Sequence, residues 1–418
     1  MRVDSLEASL RLLRTRRFGT FCFASLLSNI GTWAQQVAQP WLLLSLGASP
    51  FLIGLDAFAM GAPVWLLTLV GGVLAYHADR RRVIAGFQAL QMLCPTLLVV
   101  LLLAGAVKPW MVIVLSLVVG ITDALSMPSF QSIVPSIVER DQIATGIALN
   151  STQFNLSRIL GPALAGILMS GVGAVGCFAV SAASYVPFIL VALWILPRGR
   201  NAPVADKLFD RRHPFGGVLE VAREPNLRAA LLTVLVTSSL CGPLITFCPV
   251  LVRDALSGDV SDFSIAIGAF GVGGLLGAFG LLFVDSSRDR RPLTTWFAVA
   301  YGATVIAAAL SPWIWGLSAV LVLAGMFMTV SNTSANSLLQ ATAPARIRGQ
   351  SVSLYMLAMR GGVSIGSLMT GISVHLLGIR HALLVNGVAA VIAHVLIGRQ
   401  WLRSRSTRSA SIRKDRAE

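Results

Sequence analysis

The sequence has 418 residues, of which 55% are hydrophobic and only 12% charged, and its formal net charge is +15. A water-soluble domain carries about 25% charged residues, and hydrocarbon penalises charge most, so this composition excludes an ordinary soluble domain and points to a chain that spans a bilayer. The basic residues sit in short clusters between long apolar stretches, which is the pattern of topology signals at a membrane surface and not of a nucleic-acid-binding face.

In chain order, MRVDSLEASLRLLRTRRF opens the sequence as a basic segment with no small-residue cleavage site after it. Residues 1–17 are therefore read as a retained cytoplasmic N-terminus, not a removed signal peptide. Apolar spans follow at 18–46, 51–76, 83–105, 110–134, 144–170 and 174–197. A polar segment at 198–227, with Pro203, Pro214 and the run Asp210 to His213, separates them from a second set. That set covers 228–252, 262–284, 293–311, 313–338, 349–376 and 380–401, and a basic tail at 402–418 ends the chain. Each span reaches the length of about 20 residues that a crossing helix needs, or comes close to it. The expected fold class is all-α and polytopic: twelve transmembrane helices in two six-helix pseudo-symmetric bundles, 18–197 and 228–401.

Charge sets the orientation. With these spans, 28 of the 33 Lys and Arg residues fall on the side of the termini, against Lys108, Arg253 and Arg380 on the other, while Arg158 and Arg360 lie within spans. This bias places both termini in the cytoplasm of a multi-pass inner-membrane protein. The halves echo each other: HADRRR (77–82) follows the second span and SSRDRR (286–291) the eighth. Repeated basic loops at matching positions are the signature of a transporter built by duplication. Cys22, Cys94, Cys177, Cys241 and Cys248 all lie in apolar segments without CxxC spacing, so they read as buried, inert thiols; no metal site or cofactor is expected. No GxxxxGK[ST] string, catalytic triad or nucleophile elbow exists, so neither an ATPase nor another enzyme is expected, and energy must come from a gradient or from the substrate.

The intramembrane charges Asp56, Asp123, Arg158 and Arg360 are the candidate coupling groups, since each costs at least about 2.5–3.5 kcal/mol unless it finds a partner or water. Asp123 and Arg158, on adjacent spans, are expected to pair, either for transport or only to fix packing. Asp56, near the start of its span, is expected to reach the outer interface or to serve gating. Arg360 is expected to bridge to the inner end of the second span, near Tyr76 and Asp79. A proton-coupling group must change environment between states, and His375, His381 and His394 are alternatives to Asp123 on intrinsic proton affinity. Ser25, Ser28, Asn29, Thr32, Gln35, Gln36 and Gln39 form a polar stripe on the first span, with Trp33 beside it. Thr329, Asn332, Thr333 and Asn336 repeat it on the tenth, and Thr233, Thr237, Ser238 and Cys241 on the seventh. Such stripes face a cavity or bond between helices. From them, Asn29, Thr32, Trp33, Gln36, Thr237, Asn332 and Asn336 are the substrate-cavity candidates. The glycines of span eight, including Gly273 and Gly277, are expected to form a smooth surface against span five.

Four strings together resemble the major facilitator superfamily over nearly the whole chain, in particular its drug and siderophore exporters, which include the enterobactin exporters. They are SNIGTWAQQVAQPWLL (28–43), GGVLAYHADRRRVI (71–84), ALNSTQFNLSRILGPALAG (148–166) and NSLLQATAPARIRGQSVSLYM (336–356). The resemblance implies the major facilitator fold, a cavity lined by spans one, four, seven and ten, and gating at Gly72, Asp79, Arg80 and Arg81. It also implies an antiporter motif at Gly161 and Pro162, where a bend in the fifth span seals the outer side. Tyr76 and His77 stand where the family usually has Asp and Arg, and Ser116 occupies a position that is often basic in exporters. The resulting expectation is a secondary active exporter of an amphipathic small molecule, siderophore or drug-like, working as a monomer by proton antiport. The alternatives are an uptake permease and a non-transporting receptor or assembly factor on the same fold.

Overall fold

The computed structural model describes residues 2–77, 80–139, 142–195, 223–284, 289–344 and 348–414. A short helix, Arg2–Leu13, leads into α1 (Arg16–Ser45), α2 (Pro50–His77), α3 (Arg80–Leu103), α4 (Pro109–Ile137), α5 (Ile143–Gly171) and α6 (Gly173–Trp194). The second half starts with α7, a composite that runs from Pro225–Val236 through several short pieces to Ala255. It continues with α8 (Val260–Leu282), α9 (Arg290–Leu310), α10 (Ile314–Thr342), α11 (Arg348–Leu377) and α12 (Ile379–Lys414). The basic tail expected from residue 402 is thus helical as far as Lys414. Most of the 198–227 connection lies outside the described residues.

The helix ends follow local rules. Gly47 (φ 75°) and Gly105 (φ 65°) take the left-handed conformation that ends α1 and α3. Proline at the first position of α2 and α4 starts the next helix, where its missing N–H costs nothing. Asp259 caps α8 by accepting from Ser261 N at 2.8 Å and Asp262 N at 3.1 Å, and Asp262 Oδ2 accepts from Asp259 N in return. Two of the far-end cations, away from the termini, also cap helices. Arg253 Nη1 donates to Leu44 O at 2.8 Å, and Arg380 donates to Ala309 O and Ala255 O at 3.3 Å, each at a helix C-terminus where the dipole favours a cation.

Eight helices among the described residues are long and apolar enough to cross a membrane on length and composition alone. α1, α5 and α11 are not among them because polar residues dilute their apolar surface, and of α2 the run Pro50–Trp65 is described side chain by side chain and is apolar. Within the first half α1 packs on α5 and α6, α2 on α4, and α3 on α4 and α6. The second half repeats these pairs six helices later: α7 on α11 and α12, α8 on α10, and α9 on α10 and α12. The halves meet through α2 against α11 and α5 against α8.

The apolar cores show which end is closed. At the far end one cluster crosses both halves, joining Leu42, Leu43 and Ile53 to Phe247, Leu251, Phe263 and Ile267. Trp41 of α1 stacks on Phe263 of α8 there, ring centroids 4.9 Å apart. At the terminus-bearing end there are two clusters. One holds Phe18, Phe21, Ile84, Val134 and Phe188 of the first half. The other holds Leu227, Val234, Leu339, Tyr355 and Trp401 of the second, with Phe154 of α5 packed against it. Among the described residues the apolar core is shared by both bundles at the far end, and at the end that carries the termini, the parted end, it is divided between them.

Two stretches of α7 are π-helical, Thr237–Cys241 and Leu251–Ala255. Pro243 has no N–H to give to the preceding turn, so Gly242 N reaches back five residues to Thr237 O at 3.0 Å. The Tyr301 hydroxyl, from α9, donates to Cys241 O at 3.3 Å. Widened turns of this kind concentrate at functional sites. The sequence reading took 228–252 as an unbroken span, although Gly242, Pro243 and Pro249 carry the signal.

Candidate functional site: a charged cavity between the two halves

A cavity of ≈ 190 Å³ lies between the bundles. Most of its wall is apolar and soft: Met60, Met328 and Met359, with Val37, Val64, Val363, Phe270 and Ile245. Methionine is flexible and polarisable, so such a wall adapts to irregular organic ligands. All four intramembrane charges, Asp56, Asp123, Arg158 and Arg360, also line it.

Their partners differ from those expected. Asp123 of α4 pairs with Arg360 of α11 through Oδ2 and Nη1, across the two halves. It does not pair with Arg158, and Arg360 pairs here with Asp123; the side chains of Tyr76 and Asp79, near which Arg360 was expected, lie outside the described residues. Sequence adjacency of α4 and α5 misled here: α4 packs mainly on α2 and α3, while α11 crosses to α2 and brings Arg360 over the cavity. Asp123 Oδ1 also accepts from Gln91 Nε2 at 2.7 Å, and Gln88 donates to Gln91 at 2.9 Å. These two glutamines of α3 were missed. Their signal was present, two amides three residues apart inside an otherwise apolar helix.

Asp56 is buried, with 4% of its surface exposed, and does not reach the outer interface. Gln39 Nε2 donates to its Oδ2 and Ser116 Oγ to its Oδ1, both at 2.6 Å. Residue counting put Asp56 near the start of its span but could not show that α1 and α4 cover it. Ser116, noted only as a departure from a basic position, is a carboxylate donor.

Arg158 forms no ion pair with any carboxylate among the described residues. Its guanidinium lies 5.6 Å from the centre of the Trp33 ring, a cation–π contact. Gly161 lets α5 lie against α1, since a methyl group there would stand 3.2 Å from Ala34 N. Pro162, one residue on, lines the cavity.

The polar stripes divide. Trp33 and Gln36 line the central cavity. Asn332, with Asn155, Thr329 and Thr333, lines a small adjoining pocket that also meets Arg158. Four candidates instead bond to neighbouring side chains. Asn29 donates to Gln153 at 3.4 Å and Thr32 meets Tyr185 Oη at 3.0 Å. Thr237 meets His394 Nε2 at 3.0 Å and Asn336 accepts from Gln340 at 3.2 Å. A polar side chain in an apolar helix is satisfied by whatever lies within reach, and for these that is their own bundle. The span-eight glycines divide too: Gly271 and Gly274 face α5, but Gly273 and Gly277 face Val322 and Met326 of α10. Gly72 lies in α2 and Arg80 opens α3, but their side chains are outside the described residues, as is Asp79 entirely; Arg81 is half-buried in the first turn of α3.

Residues 7–416 match the family described as transmembrane secretion effectors, within the major facilitator superfamily. The chain belongs to that family. It is a multi-pass secondary transporter of the major facilitator superfamily and not an enzyme. The multidrug efflux pump Tap of Mycolicibacterium fortuitum is 26% identical over 389 residues, covering 88% of this chain and 93% of Tap. The staphyloferrin A transporter of Staphylococcus aureus is 23% identical over 373 residues, covering 89% of this chain and 93% of that one. Among solved structures, a variant of the nucleoside transporter NupG aligns with a TM-score of 0.69 at 14% identity, over 93% of this chain and 99% of that one. A bacterial homologue of the lysosomal transporter Spinster, inward-facing and unoccupied, aligns at 0.64 and 17%, over 94% and 98%. At these identities the solved structures speak for the fold alone. This secretion-effector chain therefore has the two-bundle transporter architecture around a charged, methionine-rich cavity.

Proposed function

We propose that this protein exports an amphipathic small molecule from the cytoplasm across the inner membrane, by alternating access coupled to proton antiport. The reading rests on one observation: Asp123 and Arg360, from opposite halves, form an ion pair inside the central cavity. A proton on Asp123 removes the charge that Arg360 binds and releases a tie between the bundles. Deprotonation restores the tie, so protonation and rocking are linked through a single bond. With both termini in the cytoplasm, as the Lys and Arg bias requires, the parted end faces the cytoplasm and loads substrate from there. The ligand class follows from the wall, because methionine and aromatic surfaces take up apolar bulk and the cavity charges orient a polar end. An efflux pump and a siderophore transporter among the relatives support the same class.

The test uses the full chain in proteoliposomes. An ethidium or staphyloferrin A gradient is expected to drive protons the opposite way, read with an entrapped pH dye. Asp123→Asn is expected to abolish the proton flux. Full coupling in that variant would refute the assignment, and absence of any coupled flux in the wild type would refute antiport.

A further inference from the structure

Asp56 is a buried titratable group that the coupling step above does not use. It lines the central cavity from α2, and the other titratable or charged side chains of that wall are Asp123 of α4, Arg158 of α5, Tyr301 of α9 and Arg360 of α11. Among the described residues no cation pairs with Asp56. Its carboxylate meets only uncharged donors, Gln39 Nε2 of α1 on Oδ2 and Ser116 Oγ of α4 on Oδ1, both at 2.6 Å. Gln39 Nε2 also donates to Ser116 Oγ at 2.6 Å, so the three side chains close a ring. Behind them Ser181 donates to Gln35 at 2.7 Å and Gln35 to Gln39 Oε1 at 3.5 Å, which holds the Gln39 amide with its nitrogen toward Asp56.

This ring takes up a proton without a change of packing. As a carboxylate, Asp56 accepts from both neighbours. As an acid, it donates from Oδ1 to Ser116 Oγ while Oδ2 still accepts from Gln39. The serine hydroxyl then turns to the carbonyl four residues earlier in α4, a common partner of a helical serine. Asp123 has no such freedom, because a guanidinium only donates, and a proton there leaves Arg360 without its acceptor. The same added proton therefore breaks a tie at Asp123 and breaks nothing at Asp56.

The Asp56 carboxylate is wedged between Gln39 and Ser116 and almost covered, so a proton reaches it where a larger group does not. Sealing the cavity removes water from its wall, and an ionised Asp56 without a cation costs most in that closed form. A proton removes the cost when the empty carrier turns inward, and a cationic guest in the cavity offsets it when the loaded carrier turns outward. We propose that Asp56 is a second proton carrier, separate from the Asp123–Arg360 tie, so that two protons enter for each cationic substrate that leaves. Its proton is taken up while the cavity is open to the far side and is released to the cytoplasm in the arrangement described here. The proposal rests on the antiport reading above and sets its stoichiometry.

Two measurements on the full chain in proteoliposomes test this. With the membrane potential held at zero by potassium and valinomycin, each proton exchanged multiplies the steady ethidium gradient by about ten per unit of pH gradient. The wild type is therefore expected to reach about a hundredfold at one unit, and Asp56→Asn about tenfold. Asp56→Glu should return toward the wild type. Equal gradients in the wild type and Asp56→Asn would overturn the second carrier and leave antiport standing, whereas no gradient in the wild type would overturn antiport itself. Infrared difference spectra between acid and alkaline buffer, which need no substrate, read the proton directly. A carboxylic-acid carbonyl band is expected that Asp56→Asn removes and Asp123→Asn keeps. Ser116→Ala should shift its frequency, since the acid loses the oxygen it donates to, and Ser116→Thr should not. Absence of any band that depends on Asp56 would overturn the proposal; if Asp56→Asn does not fold, an unshifted band in Ser116→Ala does so.

Discussion

At the scale of the residue, Asp56 shows how a bilayer protein keeps a carboxylate out of water. Gln39 and Ser116, from helices on either side, each donate at 2.6 Å. Removing one donor leaves a buried charge half-satisfied, so Gln39→Leu and Ser116→Ala are each expected to destabilise the protein by about 1–3 kcal/mol. A lowered unfolding temperature in detergent would show it, and unchanged melting in both variants would contradict the geometry. The sequence was informative about which charges lie inside the helices. Asp56, Asp123, Arg158 and Arg360 stood out because they interrupt apolar helices, and all four face the cavity. It was uninformative about pairing, because partners are set by which faces meet in space. Asp123 found Arg360, 237 positions away, in place of Arg158 on the next helix. Asn29, Thr32 and Thr237 show the same limit: helical periodicity placed them on a stripe, but did not tell whether the stripe met a cavity or a neighbouring helix.

At the scale of the element, glycine placement separates moving contacts from fixed ones. A methyl group on Gly166 of α5 would stand 2.8 Å from Ser264 O of α8, across the boundary between halves. On Gly277 of α8 it would stand 2.7 Å from Met326 O of α10, within one half. Gly166→Leu is therefore expected to wedge the halves and reduce ethidium flux about tenfold or more while each bundle stays folded. Gly277→Leu is expected to cost about 1–3 kcal/mol of stability by overpacking a permanent contact. Flux and thermal unfolding measured on both variants check the contrast; identical profiles would mean the two interfaces are mechanically equivalent. The order of helices was legible from apolar runs and basic loops, and every span boundary of the first half lies within three residues of the observed one. The broken course of α7 was not read, because apolar periodicity reports the average path of a helix and not its local winding.

At the scale of the whole molecule, the described residues form one shared apolar core at the far end and two separate ones at the end with the termini. α2 and α11 close the far end together, and a methyl group on Gly54 would stand 3.2 Å from Leu368 Cα. The five native cysteines are buried and unpaired, so an introduced pair can be followed against a quiet background. Gly54→Cys combined with Leu368→Cys is expected to cross-link under mild oxidation, to halt transport, and to recover on reduction. Failure to cross-link would mean that this end is not held shut.

The stack of Trp41 on Phe263, and the reach of Arg253 to Leu44 O, give the carrier an asymmetry between its two strokes. Opening the far mouth wets a dry seam and strips a guanidinium from its carbonyl, whereas closing it again only expels that water. Shutting the far mouth, the stroke that accompanies the proton in antiport, should therefore be the easy one, and the difficult stroke falls to the moment when cargo is aboard.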